Sequence, residues 1–355
     1  VSYTGNAVSG ATIGHGLGVE PDLVIVKNLN LSTQSWNTYV KNVTTTNAQF
    51  LTLNTTAANG NTANPRFIPG NFSSSVFSVG NDNSTNGASG VDTYIAYCFA
   101  SVAGYSSIGT YTGNGSTNGP IINTGFEPAF LMIKCYSDSS TSWRIYDNKR
   151  NTTNPRNSFL KANADDVEET VANQVNFLTN GFQLIGTNNN INGNGRTQIY
   201  IAFASDASAA PALADSFGIS GYVGNASTKI VNNSGFSPSL VWLKDRSSSG
   251  NHYWQDTIRG LTSQISSNLT AAETTYSSNI TSFNNNGFTL GTATDTNAQN
   301  HAFVGWQWKG NANPTINTDG TIQSVVSANQ AAGFSVVKWD STSSASDTIG
   351  HGLSS

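Results

Sequence analysis

The sequence predicts an all-β protein made of tandem antiparallel β-sandwich modules of a jelly-roll or lectin-like kind. Three observations carry this: the composition, a repeat of about 110 residues, and short apolar runs bounded by turn residues. Of 355 residues, 37% are hydrophobic and 10% aromatic, but only 10% are charged. That charged share is well below the roughly 25% of an average globular chain, while the apolar share is enough to build cores. Most other positions are Asn, Thr, Ser and Gly, which form turns and hydrogen-bond without charge. A helical bundle would need far more Glu, Lys, Leu and Ala.

The repeat opens three times with an aromatic-x-Gly-Asn signature, at Tyr3–Asn6, Tyr111–Asn114 and Tyr222–Asn225. A proline and an apolar run ending in lysine follow: Pro21 to Lys27, Pro128 to Lys134 and Pro238 to Lys244. Consecutive apolar positions predict a central strand covered on both faces, with the lysine marking the exit to solvent. Next comes a strand bearing Trp36 and Tyr39, Trp143 and Tyr146, or His252, Tyr253 and Trp254. A divergent polar stretch is expected on exposed loops. The copies re-converge at Val76–Gly80, Gly181–Leu184 and Gly287–Gly291. They close on Tyr94–Tyr97, Tyr200–Phe203 and Phe303–Trp306, with Ala96, Ala202 and Gly305 read as equivalent small residues.

These landmarks divide the chain into module 1 (1–103), module 2 (104–207), a linker (208–215), module 3 (216–310), a hairpin connector (311–332) and the opening of an incomplete fourth module (333–355). Asp319-Gly320 between apolar runs signals the hairpin. Thr348–Leu353 repeats Thr12–Leu17 residue for residue. The chain is thus expected to be an excerpt of a longer repeat, or to pack its last segment on a neighbouring subunit.

The net charge of −4 and the lack of a Lys/Arg cluster exclude a phosphate-gripping surface, so nucleic acid is not an expected partner. No run of some 18 apolar residues implies membrane insertion. Cys98 and Cys135 read as free thiols. No cofactor, metal site or catalytic residue is expected. His15 and His351 lie in matching Gly-His-Gly-Leu turns, a structural pattern. Asp165, Asp166, Glu168 and Glu169 form the densest acidic group. They read as a solvated loop, against the alternatives of Ca²⁺ ligation or a glycosidase pair. Among the tryptophans, Trp242, Trp306 and Trp308 fall on core strands. Trp36, Trp143 and Trp254, on a less apolar strand near variable loops, are the candidates for stacking on a sugar ring.

Thr12–Gly18, Pro21–Asn28, Tyr111–Thr117, Gly125–Lys134 and Thr315–Ile322 together resemble a repetitive module of structural proteins of tailed bacteriophages, especially marine ones, of the tail-fibre or minor virion type. The resemblance covers nearly the whole chain and supplies no catalytic residues. It implies a non-catalytic component of a virion appendage on the external surface of the particle, its modules strung as beads. Other virion structural proteins, further copies of the chain and host-surface glycan are the implied partners. A capsid decoration or head fibre, a glycan-degrading tailspike and a cell-surface adhesin are the alternatives.

Overall fold

The computed structural model describes residues 2–87, 92–204, 216–311, 313–317 and 324–338. It is almost all β, in antiparallel sheets, with single helical turns at Asn83–Asn86 and Thr294–Asn297. The interval 208–215, the turn at Asp319-Gly320 and Thr348–Leu353 fall outside the described residues.

Each module is built on one sheet. Its central strand (Leu23–Asn28, Pro128–Cys135, Leu240–Asp245) lies between a closing strand (Thr93–Phe99, Thr197–Ala204, Ala302–Trp308) and a short strand (Asn37–Val40, Arg144–Asp147, Tyr253–Asp256). Every residue of the three central strands is buried, because alternate side chains enter two different cores. Val24 and Val26, Leu131 and Ile133, and Val241 and Leu243 face a small outer strand group and form a separate core within each module. Those outer groups pair Ala11–Gly14 with Val76–Val79, Ile121–Asn123 with Gly181–Leu184, and Lys229–Asn232 with Gly287–Leu290.

The opposite faces do not meet solvent. Leu23, Ile25, Phe130, Met132, Leu240 and Trp242 join one core shared by all three modules. The modules are therefore not beads on a string but three sandwiches around a common centre. Burying the second face of each sheet is what makes the apolar runs continuous.

The strand register corrects one alignment. Leu23, Phe130 and Leu240 stand opposite Phe99, Phe203 and Trp308. Tyr97 is thus equivalent to Ile201 and Trp306, and Ala96 to Tyr200 and Gly305, two places from the alignment read in the sequence for module 2. The repeated aromatic-Ile-Ala-aromatic motif had matched a slipped register of the same face.

The opening signature has a clear cause. The backbone N–H groups of Asn6, Asn114 and Asn225 donate to the Oδ1 atoms of the buried Asn86, Asn192 and Asn297, at 2.7, 2.9 and 2.9 Å. The Nδ2 atoms of those three donate to the carbonyls of Gly80, Gly186 and Gly291. The signature glycine allows this approach: a Cβ on Gly224 would lie 2.0 Å from the carbonyl oxygen of Ala298, and one on Gly113 2.5 Å from that of Gly193. Gly224→Ala should therefore cost about 1–3 kcal/mol by overpacking. Urea titration of that variant checks this, and an unchanged midpoint would contradict it.

The segment expected to open a fourth module belongs, in its described part, to module 1. Phe334–Lys338 pairs with the closing strand of module 1, Phe334 opposite Phe99 and Val336 opposite Tyr97. Ser2–Thr4 pairs further along the same edge, opposite Ile95 to Thr93. Modules 2 and 3 fill this edge with one continuous strand, Ser106–Thr112 or Phe217–Val223. Module 1 fills it from both ends of the sequence. Phe334 and Val336 are buried in the shared core. The connector strands Thr315–Asn317 and Ser324–Asn329 pair antiparallel and extend the same sheet.

Candidate functional site at the module seams

The lysines that close the central strands are buried, not solvent exits. Each ammonium donates to two carbonyl oxygens, one of them in the adjoining module. Lys27 reaches Gln34 and Thr270, both at 2.8 Å. Lys134 reaches Thr141 at 2.6 Å and Thr56 at 3.0 Å. Lys244 reaches Asp245 at 2.7 Å and Asp165 at 3.3 Å. The contacts run in cyclic order: module 1 onto 3, 2 onto 1, 3 onto 2. A head-to-tail contact that closes after three steps makes a ring, here within one chain.

Burial pushes each of these lysines down to about 8. Between that value and the unfolded value of 10.5, the unfolded chain binds more protons than the folded one, so stability rises with pH. Buried phenols act in the opposite sense. Tyr97, Tyr111 and Tyr222 are raised well above 10.0 by burial, so the unfolded chain loses their protons first and stability falls above about pH 10. The thermal midpoint should climb from about pH 8, then turn down near pH 10. A midpoint that falls steadily across that range in a melting series would refute the lysine assignment.

Register also defines a second set of equivalents. Trp36, Trp143 and His252 each precede the short strand by the same step. Each gives a ring N–H to the neighbouring module. Trp36 Nε1 donates to the Ser266 carbonyl at 3.0 Å, Trp143 Nε1 to that of Thr52 at 3.0 Å, and His252 Nε2 to that of Lys161 at 3.0 Å. Burial and then the nearby Lys244 charge push His252 down to about 3. It is therefore neutral, with Nδ1 free to accept from Trp242 Nε1 at 2.8 Å.

Trp254, aligned in the sequence with Trp36 and Trp143, instead occupies the place of Thr38 and Ile145. Its ring packs 4.7 Å from both Tyr97 and Trp242, and its Nε1 has no hydrogen-bond partner among the described residues. Trp36, Trp143 and Trp254 are at most 1% exposed. No sugar can stack on them, and the ligand-binding role expected from the sequence does not fit their positions.

A third set of contacts differs between seams. Between modules 1 and 3, the Tyr97 hydroxyl donates to Asp256 at 3.2 Å. Arg259 holds Asp256 at 2.6 Å and Glu273 at 3.0 Å. Between modules 3 and 2, Trp306 Nε1 donates to Asp147 at 3.2 Å. Arg150 holds Asp147 at 2.6 Å and Glu168 at 2.7 Å. At the third seam the same positions are Ile201, Val40, Val43 and Asn59. Donor, acceptor and cation are all replaced by apolar residues, and Ile201, Val40 and Val43 belong to the shared core. Only the backbone element is kept three times: the N–H groups of Asn59, Glu168 and Glu273 donate to the carbonyls of Tyr136, Arg246 and Leu29.

The acidic group is now accounted for. Glu168 is clamped between Arg150 and Arg246. Burial alone would raise its carboxyl, but the two guanidinium groups outweigh that and hold it low. Asp166 and Glu169 pair with Lys161. Asp165 supplies the carbonyl for Lys244. Among the described residues, no group of three or more His, Cys, Asp or Glu is placed to hold a metal.

His15 is fully buried. Its Nε2 meets the Ser73 carbonyl at 3.1 Å and its Nδ1 accepts from the Leu17 N–H at 3.2 Å. Thr124 and Ser234 stand at the same turn in modules 2 and 3, each donating its hydroxyl to the carbonyl two residues on. Cys98 and Cys135 are free and buried. Among the described residues no helix is long and apolar enough to cross a membrane.

A cavity of about 80 Å³ lies where modules 2 and 3 meet, between Ala129, Asn148, Phe217 and Asn233. That is smaller than the several hundred Å³ of a typical ligand pocket.

The seam residues were the part sequence reasoning missed. One signal was available: Asp147-x-x-Arg150 and Asp256-x-x-Arg259 recur at the same place in two modules of a chain where charge is scarce.

No curated protein and no solved structure matches the chain. A family model described as a domain of unknown function, DUF7483, matches residues 1–207 and again 213–355. The two matches meet between modules 2 and 3 and together take in almost the whole sequence, so the chain belongs to the DUF7483 family.

Proposed function

We propose that the chain is a non-catalytic structural component of a bacteriophage virion appendage, a tail fibre or similar external fibre on the particle's outer surface. The observation that carries this reading is how the chain spends its rare charged and large aromatic residues. Buried lysines, ring N–H donors and ion pairs are committed to holding three modules in one ring. The acidic residues that could have formed a catalytic pair are engaged in the same seams or by Lys161. Such a body suits a rigid spacer, and the resemblance to phage modules points the same way. Its partners are other virion structural proteins and further copies of the chain. Host-surface glycan is the proposed attachment target, met by the Asn-, Thr- and Ser-rich loops rather than by the buried tryptophans.

Antibody raised against the chain and applied to virions in negative-stain microscopy tests this. Label along a tail or other projecting fibre is expected. Label on the capsid shell would favour a decoration or head fibre, and label on uninfected cell envelopes an adhesin. Release of reducing ends from host polysaccharide by the purified chain would overturn the non-catalytic reading in favour of a tailspike.

A further inference from the structure

Module 1 is incomplete without a strand pair from the far end of the chain. Phe334–Lys338 fills the edge beside Thr93–Phe99, and Ser324–Asn329 lies outside it. Val326 enters the core internal to module 1, while Phe334 and Val336 enter the core shared by all three modules. The Ser335 hydroxyl donates to the carbonyl of His15. On the other side of the seat, Ser327 Oγ lies 3.2 Å from Ser239 Oγ, and Asn329 Nδ2 donates to Ser216 Oγ at 3.1 Å, both in module 3. An isolated two-stranded hairpin is marginal in water. Pair and seat therefore each depend on meeting the other, and nothing in that dependence requires them to belong to one chain.

The joint that ties the pair to module 3 is short and lies at the surface. The Lys309 N–H still donates to the Ser216 carbonyl within module 3, and Thr315 already pairs with Val326. Asn311, Asn313 and Pro314 between them are exposed. The Ser327 hydroxyl holds the Asn311 carbonyl at 2.9 Å. Extended, the six steps from 309 to 315 reach about 20 Å. Opening the joint leaves the strand pairing within module 3 unchanged, and every contact it breaks on the seat is remade on an identical seat.

We propose that residues 324–338 are an exchangeable clasp: they seat on modules 1 and 3 of a second copy of the chain, in the register they keep on their own, and so link copies end to end. The seat itself fixes the occupant, since its register, cores and hydroxyl contacts match this pair residue by residue. Clasp and seat are different parts of the molecule. The contact is thus head-to-tail, and copies joined in succession form an open filament. The proposal rests on the reading of the chain as part of a fibre with further copies as partners. Labelling of virions tests where that fibre sits, whereas the experiment below needs only the purified chain, so the two fail separately.

Disulfide trapping between full-length chains tests the exchange. Ser335 stands opposite Cys98. Facing residues of antiparallel strands have Cα atoms about 4.5–5.5 Å apart, within the span of a disulfide. A chain carrying Ser335→Cys and Cys135→Ala should link within itself on oxidative refolding, which is the control. A donor with Ser335→Cys, Cys98→Ala and Cys135→Ala is then refolded together with an acceptor carrying Cys135→Ala alone. A 335–98 link between the two chains, identified by mass spectrometry of the bridged peptides, should rise roughly in proportion to chain concentration while exchange is scarce. Deleting 311–313 from the donor penalises return to its own seat and should raise the link several-fold, because short hinges favour swapping. A Gly-Ser insertion at the same place eases return and should lower it. No link between chains at any concentration, while the control links within the chain, would overturn the proposal. So would a shortened donor that stays a folded monomer, or an inserted joint that leaves the yield unchanged.

Discussion

Trp143→Ala is expected to destabilise the chain by about 3–5 kcal/mol, the cost of emptying a large aromatic site in a core. The Trp143 side chain is almost wholly buried and lies in the core common to all three modules. Its removal also strands the Thr52 carbonyl, which accepts from the indole at 3.0 Å. Trp143→Phe separates the two effects: it keeps most of the ring and loses the N–H, so it should cost only about 1–3 kcal/mol. Urea unfolding of both variants measures this. A Trp143→Ala cost below that of an ordinary surface change would mean the indole is not a seam element. Under a sugar-stacking role the same substitution would have weakened glycan binding and left stability intact.

The second large effect comes from the ion pairs, and the chain contains its own control. Arg259→Val alone leaves Asp256 buried without its cation, which should cost about 3–5 kcal/mol. Converting the whole seam to the apolar pattern of Ile201, Val40 and Val43, by Tyr97→Ile, Asp256→Val and Arg259→Val together, removes donor, acceptor and cation at once. Buried ion pairs exchanged for apolar groups of similar volume are commonly neutral or better, so the triple variant should be less destabilised than Arg259→Val alone, its remaining cost being the space that the smaller side chains leave. Glu273 loses a partner but keeps access to water, being partly exposed. Denaturation midpoints decide this. A triple variant worse than Arg259→Val would mean that the seams are not interchangeable.

Much of the fold was legible in the sequence because it rests on local signals. The Tyr-x-Gly-Asn signature, the proline-led apolar strands and the Gly-Phe strands each follow from backbone conformation and strand alternation. The continuous apolar runs also announced that both sheet faces are covered. They could not announce what covers the second face, since a neighbouring module and a second sheet of the same module call for the same side chains. That one ambiguity explains the main misreadings. Lys27, Lys134 and Lys244 look like strand exits until a carbonyl from another module is known to face each of them. Trp36 and Trp143 look exposed because their strands carry polar residues. Those residues, such as Asn37, Arg144 and Asp147, are in fact buried and hydrogen-bonded. Trp254 was aligned by residue type, whereas the ladder places His252 at the equivalent position. The role of Phe334 to Lys338 was hidden for another reason. Its partner strand lies more than two modules away in sequence, and only closure of the ring brings them together.

The central claim is that three sandwiches share one core and close through strands from both ends of the sequence. Differential scanning calorimetry of the full chain tests it most directly. A shared core requires the modules to unfold together, so a single transition with equal calorimetric and van't Hoff enthalpies is expected. It should shift as a whole when Phe334→Asp breaks the closure. Separate transitions for the modules, or a Phe334→Asp change confined to one of several transitions, would contradict the account.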